Sequence, residues 1–194
     1  ARVAVFRAGL PSSVPGVTIN RFCSSGLQAI AMAAERIMIG SADVIIAGGA
    51  ESMSLIQIGG SRLAPNPYLA ERYPDVYLNM GLTAEKLFSM SGLTKEDMDK
   101  WGVRSHQLAA KAQKEGFFKE EILPIEAEQG DGKMMVVDRD QAVRGDTTLE
   151  QMKDLKPAYR PDGNITEGNS SPLNAAATSM ILMSKETAKK KGIK

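Results

Sequence analysis

The run Asn20-Arg-Phe-Cys23-Ser-Ser-Gly26 holds the only cysteine of a 194-residue chain. It lies between a β-branched stretch and the start of a helical pattern. A thiol in that place feels the positive end of a helix, which favours an anion by up to about 2 kcal/mol, and the thiolate is the nucleophilic form. Gly26 has no side chain, so a ligand or another backbone can come close, and the amides of the first helical turn are placed to stabilise an oxyanion. The combination suits acyl transfer through a thioester on Cys23. The competing reading is plain: free cysteine is among the commonest buried residues and usually does no chemistry, and on position alone that case is the more frequent one.

Other chemistries find less support. One cysteine cannot close an intrachain disulfide, so a reducing compartment fits. One histidine and one cysteine cannot build a zinc site. Gly48-Gly49 lacks the spacing of a dinucleotide-binding loop, and no phosphate-loop lysine motif follows. His106, the only histidine, sits mid-helix and reads as a packing residue, not as a catalytic base. The triplets beginning at Asn164 and Asn169 match a glycosylation pattern that arises often by chance, and are read as unmodified. Lys plus Arg (24) nearly balance Asp plus Glu (23), so no strong field draws the chain to nucleic acid or anionic lipid. Lys189, Lys190 and Lys191 complement the C-terminal dipole of a helix. No apolar run reaches the roughly 20 residues of a membrane span. Ala1 to Gly9 shows no signal-peptide pattern and begins without methionine, as if cut from something longer, so a targeting segment is not present to be read.

With 43% hydrophobic and 24% charged residues the chain can fill a core and solvate a surface. Val17 to Asn20 and Asp43 to Ala47 read as strands buried on two faces, the second ending at Gly48-Gly49. Between them Leu27, Ile30, Ala31, Ala34, Ile37 and Met38 share a helical face, and Gly40 stops it. Strand, helix, strand implies a βαβ unit in a largely parallel sheet, hence an α/β protein. From Glu51 to Met80 the pattern dissolves, and Pro65, Pro67 and Pro74 forbid one continuous helix. Helices follow near Leu82 to Met90 and around Met98 to Ala112, the second punctuated by Thr94 and Gly116. Ile122 to Ile125 and Met134 to Val137 fit short strands, and Thr147 to Leu155 a short helix. Ala175 to Ser184 fits either strand or helix, and Lys185 to Lys191 a helix ending at Gly192.

The run VTINRFCSSGLQAIAMAAERIMIGSADVIIAGGAESMS resembles the nucleophile region of thiolases almost position by position. MGLTAEKL from Met80, VRSHQLAAKA from Val103, RGDTTLEQMKDLKPAY from Arg144 and GNITEGNSSPLN from Gly163 match in the same order, and together they span nearly the whole chain. The resemblance implies a layered α/β fold, a mixed sheet between helices with an inserted loop domain, of which this chain is an incomplete part. It implies an N-terminal domain over 1–103, a loop domain covering coenzyme A over 104–172, and a return strand and helix over 173–194. It makes Cys23 the residue that takes the acyl group, places Met80 in the catalytic pocket, sets Arg144 on coenzyme A and puts Ser171 against the pantetheine arm. The family's catalytic histidine, acid/base cysteine and positioning asparagine lie in GHP-like, CxG-like and NEAF-like blocks, and none of these occurs here.

Coenzyme A would be a substrate, not a permanently bound cofactor, and no metal is implied. Asn79-Met80-Gly81 matches the degradative members that have Asn before Met-Gly, so the expected reaction is thiolytic cleavage of 3-ketoacyl-CoA to acetyl-CoA and a shortened acyl-CoA. Alternatives are a biosynthetic acetoacetyl-CoA thiolase, a protein that binds acyl-CoA or lipid without turnover, and a fragment supplying a dimer surface. The resemblance further implies a homodimer or homotetramer, cytoplasmic in a bacterium or in the mitochondrial or peroxisomal matrix of a eukaryote. Two departures stand out: Thr166-Glu167-Gly168-Asn169 where TAGN is common, and Ala175-Ala176 where Asp-Gly is usual. A buried acidic side chain would be costly, and loss of Asp-Gly would alter a turn.

Overall fold

The computed structural model describes residues 1–56 and 58–193, so the last residue of the expected 173–194 segment lies outside it. In chain order the elements are α1 (Arg2–Arg7), α2 (Ser25–Met38), β1 (Val44–Ser52), α3 (Pro67–Arg72), α4 (Met80–Ser91), α5 (Lys95–Lys114), β2 (Ile125–Glu128), β3 (Met134–Val137), α6 (Leu149–Lys153), β4 (Ala175–Met183) and α7 (Lys185–Lys190), with 3₁₀ turns at Pro74–Tyr77 and Glu167–Asn169. Helices and strands are mixed throughout, as an α/β chain requires. Two compact units result, Ala1–Ser61 with Leu173–Lys194, and Arg62–Pro172.

In the first unit β1 pairs antiparallel with β4, from Val44 opposite Met183 to Ser52 opposite Ala175, and α2 packs against both strands. Helix on one face only gives the period-two burial of a half-covered sheet. Ala47 is buried and Ile45 half-buried, whereas Val44 and Ile46 are exposed. The expectation of strands buried on both faces is therefore corrected. So is the parallel βαβ pairing: Val17 to Asn20 belongs to no ladder among the described residues, and Val17 is exposed. A strand is completed by the backbone groups of a partner, and these four residues have none among the described residues. β1 also runs on through Gly48-Gly49. A Cβ at Gly48 would fall 2.1 Å from Thr178 O, so glycine here permits close approach of β4 and does not end the strand. Of Ala175 to Ser184, which fitted strand or helix, Ala175–Met183 resolves as strand and Ser184 caps α7.

In the second unit prolines open the short pieces that the sequence allowed. Pro67 stands at the start of α3, whose N-cap Asn66 accepts from Leu69 N, and Pro74 begins the following 3₁₀ turn. Asn79 caps α4 by accepting from Leu82 N at 2.8 Å, and Gly92 ends it in the left-handed region with φ 70°. Thr94 and Asp97 form a capping box on α5, and Thr148 and Gln151 form another on α6. The β2–β3 hairpin pairs Ile125 with Val137, so the first strand lies three residues beyond the expected Ile122 to Ile125. The expected loop domain, 104–172, lies inside this unit, which also takes in 62–103. Buried side chains of α4 and α5 bind the 164–169 segment directly, as described below.

Candidate active site

Cys23 is exposed and lies just before Ser24, the N-cap of α2. The turn that delivers it is tightly specified. Asn20 Oδ1 accepts from Phe22 N at 2.9 Å. Ser25 Oγ accepts from Arg21 N at 2.8 Å and donates to Phe22 O at 2.7 Å. The Arg21 guanidinium donates to Gln28 Oε1 at 2.6 Å, tying the turn to the next helical turn. Phe22 has φ 49°, the one non-glycine residue with positive φ among those described. A bulky side chain in that region costs on the order of 1–3 kcal/mol and persists only where its surroundings impose it. This turn supplies those surroundings, and the residue it sets in place is the thiol.

The amides of the first turn divide into two pairs. Ser24 N donates to Arg21 O and Ser25 N to Phe22 O, both inside the turn, whereas Gly26 N and Leu27 N meet no protein acceptor among the described residues. Nor does the Ser24 side chain cap the helix. Two donors are thus free beside the thiol, and a Cβ at Gly26 would find no atom within 4 Å. An oxyanion formed on a thioester at Cys23 would have donors and room.

Arg144 and Ser171 belong to the second unit, where they line one cavity of about 630 Å³ together with His106, Tyr159, Thr166 and Glu167. That is the size of a small-molecule site. Met80 is not among its lining residues; it is exposed at the first position of α4. Its neighbour Gly81 seats the cavity-wall residue Tyr159, for a Cβ there would fall 2.2 Å from the ring.

The cavity wall from Thr166 to Ser171 is held from behind by two buried carboxylates. Glu85, 4% exposed, accepts through Oε1 from Asn164 N and Ile165 N, each at 2.8 Å. Its oxygen occupies the notch left by Gly163, where a Cβ would come within 2.2 Å. Asp99, 1% exposed, pairs with Lys95 Nζ at 2.6 Å and accepts from Asn169 Nδ2 at 3.1 Å. Lys95 Nζ also donates to Met152 O at 3.0 Å. Asn169 closes the turn by donating to Asn164 O and accepting from Thr166 N. Gly168 admits Met152, whose sulfur would lie 2.1 Å from an added Cβ. None of this was legible as function: on α4 and α5, Glu85 and Asp99 look like ordinary charges of amphipathic helices.

Two expected costs do not arise. Glu167 is exposed, so its carboxylate stays in water. Ala175 and Ala176 are not in a turn but open β4, opposite Ser52 and Glu51. His106, read as packing, instead faces the cavity, and its Nδ1 accepts from Arg144 N at 3.2 Å. Among the described residues no group of three or more metal-binding side chains converges, and no helix is long and apolar enough to cross a membrane.

Comparison with known proteins agrees in one direction. The family model "Thiolase, N-terminal domain" matches residues 1–186. A 3-ketoacyl-CoA thiolase of Bacillus subtilis is 47% identical over 96% of this chain and 50% of its own length. An acetyl-CoA acetyltransferase of Chromobacterium violaceum is 38% identical over 100% of this chain and 53% of its own. The crystal structure of the Bacillus anthracis acetyl-CoA acetyltransferase superposes with a TM-score of 0.83 at 40% identity, covering 100% of this chain and 52% of that one. The chain spans about half the length of the relatives it matches, and it shares their α/β fold.

Proposed function

The chain belongs to the thiolase family, within its N-terminal domain, and on that premise we propose that it carries the acyl-accepting part of a 3-ketoacyl-CoA thiolase. What supports this is the thiol itself: an exposed Cys23 on a strained, hydrogen-bonded turn, beside the unpartnered amides of Gly26 and Leu27. The thiolate of Cys23 attacks the 3-keto carbon, and the new C–S bond pushes the carbonyl electrons onto oxygen, where the two amides stabilise them. Collapse of that oxyanion breaks the C2–C3 bond. Acetyl-CoA leaves with the electron pair as a carbanion and must be protonated. The acyl group, now a thioester on Cys23, passes to the thiol of a second coenzyme A. Arg144 holds a coenzyme phosphate by charge-assisted hydrogen bonds, and Ser171 lies against the pantetheine arm.

The proton transfers need a base and an acid, which in the family sit in blocks that do not occur in these 194 residues. The assignment to this chain is therefore acylation of Cys23 and coenzyme binding, within the activity of the whole enzyme. Degradation over synthesis is favoured by Asn79, which stands before Met80-Gly81 and caps α4 through its side chain.

Incubation with acetyl-CoA followed by intact-mass and peptide mass spectrometry tests the proposal. One acetyl group on the Cys23 peptide, absent from Cys23→Ala and removed by added coenzyme A, is the expected result. Acetylation at lysines only, or none at Cys23, would sink it.

A further inference from the structure

We propose that His106 is a coenzyme-binding residue, donating a hydrogen bond from Nε2 to a ligand oxygen in the Arg144–Ser171 cavity; this rests on the cavity being the coenzyme site. His106 comes from the middle of α5 and lines that cavity with Arg144, Tyr159 and Ser171. Its Nδ1 accepts from the backbone N–H of Arg144 at 3.2 Å. A ring nitrogen that accepts carries no proton, so the neutral ring has its hydrogen on Nε2. That N–H has no protein acceptor among the described residues. The contact with Arg144 therefore does two things. It fixes the backbone of the residue meant to hold a phosphate, and it leaves the opposite edge of the imidazole as a donor of fixed tautomer and orientation.

A donor so placed needs an oxygen acceptor. Coenzyme A offers such oxygens at both ends, phosphate and ribose oxygens in its nucleotide end and amide carbonyl and hydroxyl oxygens in its pantetheine arm, and either would be recognised by the same N–H. The fragments separate the ends: adenosine 3′,5′-bisphosphate carries only the nucleotide end and pantetheine only the arm.

Two substitutions separate ligand contact from backbone support, because the polar atoms of the amides overlay different ring nitrogens. His106→Asn keeps an acceptor near the Nδ1 position and loses the distal donor. His106→Gln keeps a donor near Nε2. The experiment is calorimetric titration of the full chain and both variants with coenzyme A and the two fragments, with melting curves to confirm folding. Alongside it, long-range ¹H–¹⁵N spectra of histidine-labelled protein are recorded near pH 8, the His106 signal being the one lost in His106→Asn. The expected free protein shows the Nε2–H tautomer, and coenzyme A shifts the Nε2 resonance, as does one of the two fragments. His106→Asn binds coenzyme A about five- to tenfold more weakly, and His106→Gln comes closer to wild type. If His106→Asn binds as tightly as wild type, or if coenzyme A leaves Nε2 unmoved while it binds, His106 only supports Arg144 and the donor role is wrong. If the folded wild-type chain takes no coenzyme A, the reading of the cavity itself fails, a different result from either.

Discussion

Glu85→Ala should destabilise the second unit severely, and the size of the effect follows from what the carboxylate holds. Oε1 accepts from both Asn164 N and Ile165 N at 2.8 Å, while Ile165 is 6% exposed and Thr166 fully covered. Removing the acceptor leaves two N–H groups unsatisfied in a place that water reaches poorly. At about 1–3 kcal/mol for each orphaned donor, the loss is roughly 2–6 kcal/mol, a large part of the 5–15 kcal/mol that holds an ordinary domain together. A unit of this size should melt lower by about ten degrees or more. Glu85→Gln keeps an acceptor oxygen of the same reach and should lose about half as much. The assay is urea unfolding of both variants, followed through Trp101 on α5, with hydrogen exchange at the amides of 164 and 165 as the local readout. If Glu85→Ala unfolds within about 1 kcal/mol of wild type while those amides stay protected, the clamp is not what holds the cavity wall.

Arg144→Ala should weaken coenzyme A binding about tenfold by calorimetry without lowering the melting temperature, since its side chain is exposed and the role proposed for it is charge-assisted contact. Phe22→Gly relieves the positive φ and should leave stability unchanged or raise it by up to about 1 kcal/mol, yet slow acetyl transfer to Cys23 because the turn loosens; a lower melting temperature would contradict the strain. The Thr94 hydroxyl and then its N–H hold the Asp97 carboxyl below the usual carboxylate range. A lowered value means that the ionised carboxylate supports the fold, so this contribution is lost as pH falls through the folded-state titration, and the first turn of α5 should exchange its amides faster there.

What the sequence made legible was mostly what depends on near neighbours. Thr94 and Gly116 bracket α5, Gly40 and Gly116 take positive φ at helix ends, and the thiol stands at a helix start, because caps and turns are closed by residues three or four positions apart. Val17 to Asn20 has the composition of a strand but no ladder, since pairing is a property of two segments and only one is written locally. Gly48 was misread for the same reason: its meaning lies in Thr178, far along the chain. The clamp was invisible because Glu85 and Asp99 carry no local sign of burial. Their partners lie roughly seventy to eighty residues away, and only the glycines at 81, 163 and 168, each filled by a distant side chain, hinted that this region is tightly packed.

Two departures from the family pattern bear on specificity and activity, and Glu167 in particular on the alternative of a binding protein without turnover. Glu167 replaces the usual alanine inside the 3₁₀ turn Glu167–Asn169, which is closed by Asn169 Oδ1 accepting from Thr166 N. The side chain of 167 takes no part in that closure and stays in solvent, so the substitution spares the turn and incurs no burial cost. Ala175 and Ala176 enter a ladder with Ser52 and Glu51, where backbone groups make the pairing and alanine is a better strand residue than glycine. Within the first unit Ala175 and Ala176 lie outside the turn that presents Cys23, and within the second Glu167 leaves Arg144 and Ser171 on the cavity wall. What Glu167 does alter is the charge of that wall: a carboxylate now shares it with Arg144, the arginine proposed to hold phosphate. Repulsion of an anionic ligand and attraction to Arg144 act on the same surface, and both are screened by water and salt. The effect of Glu167 should therefore fall on how tightly and how selectively a ligand is held, and not on whether the chain can fold or form an acyl-enzyme.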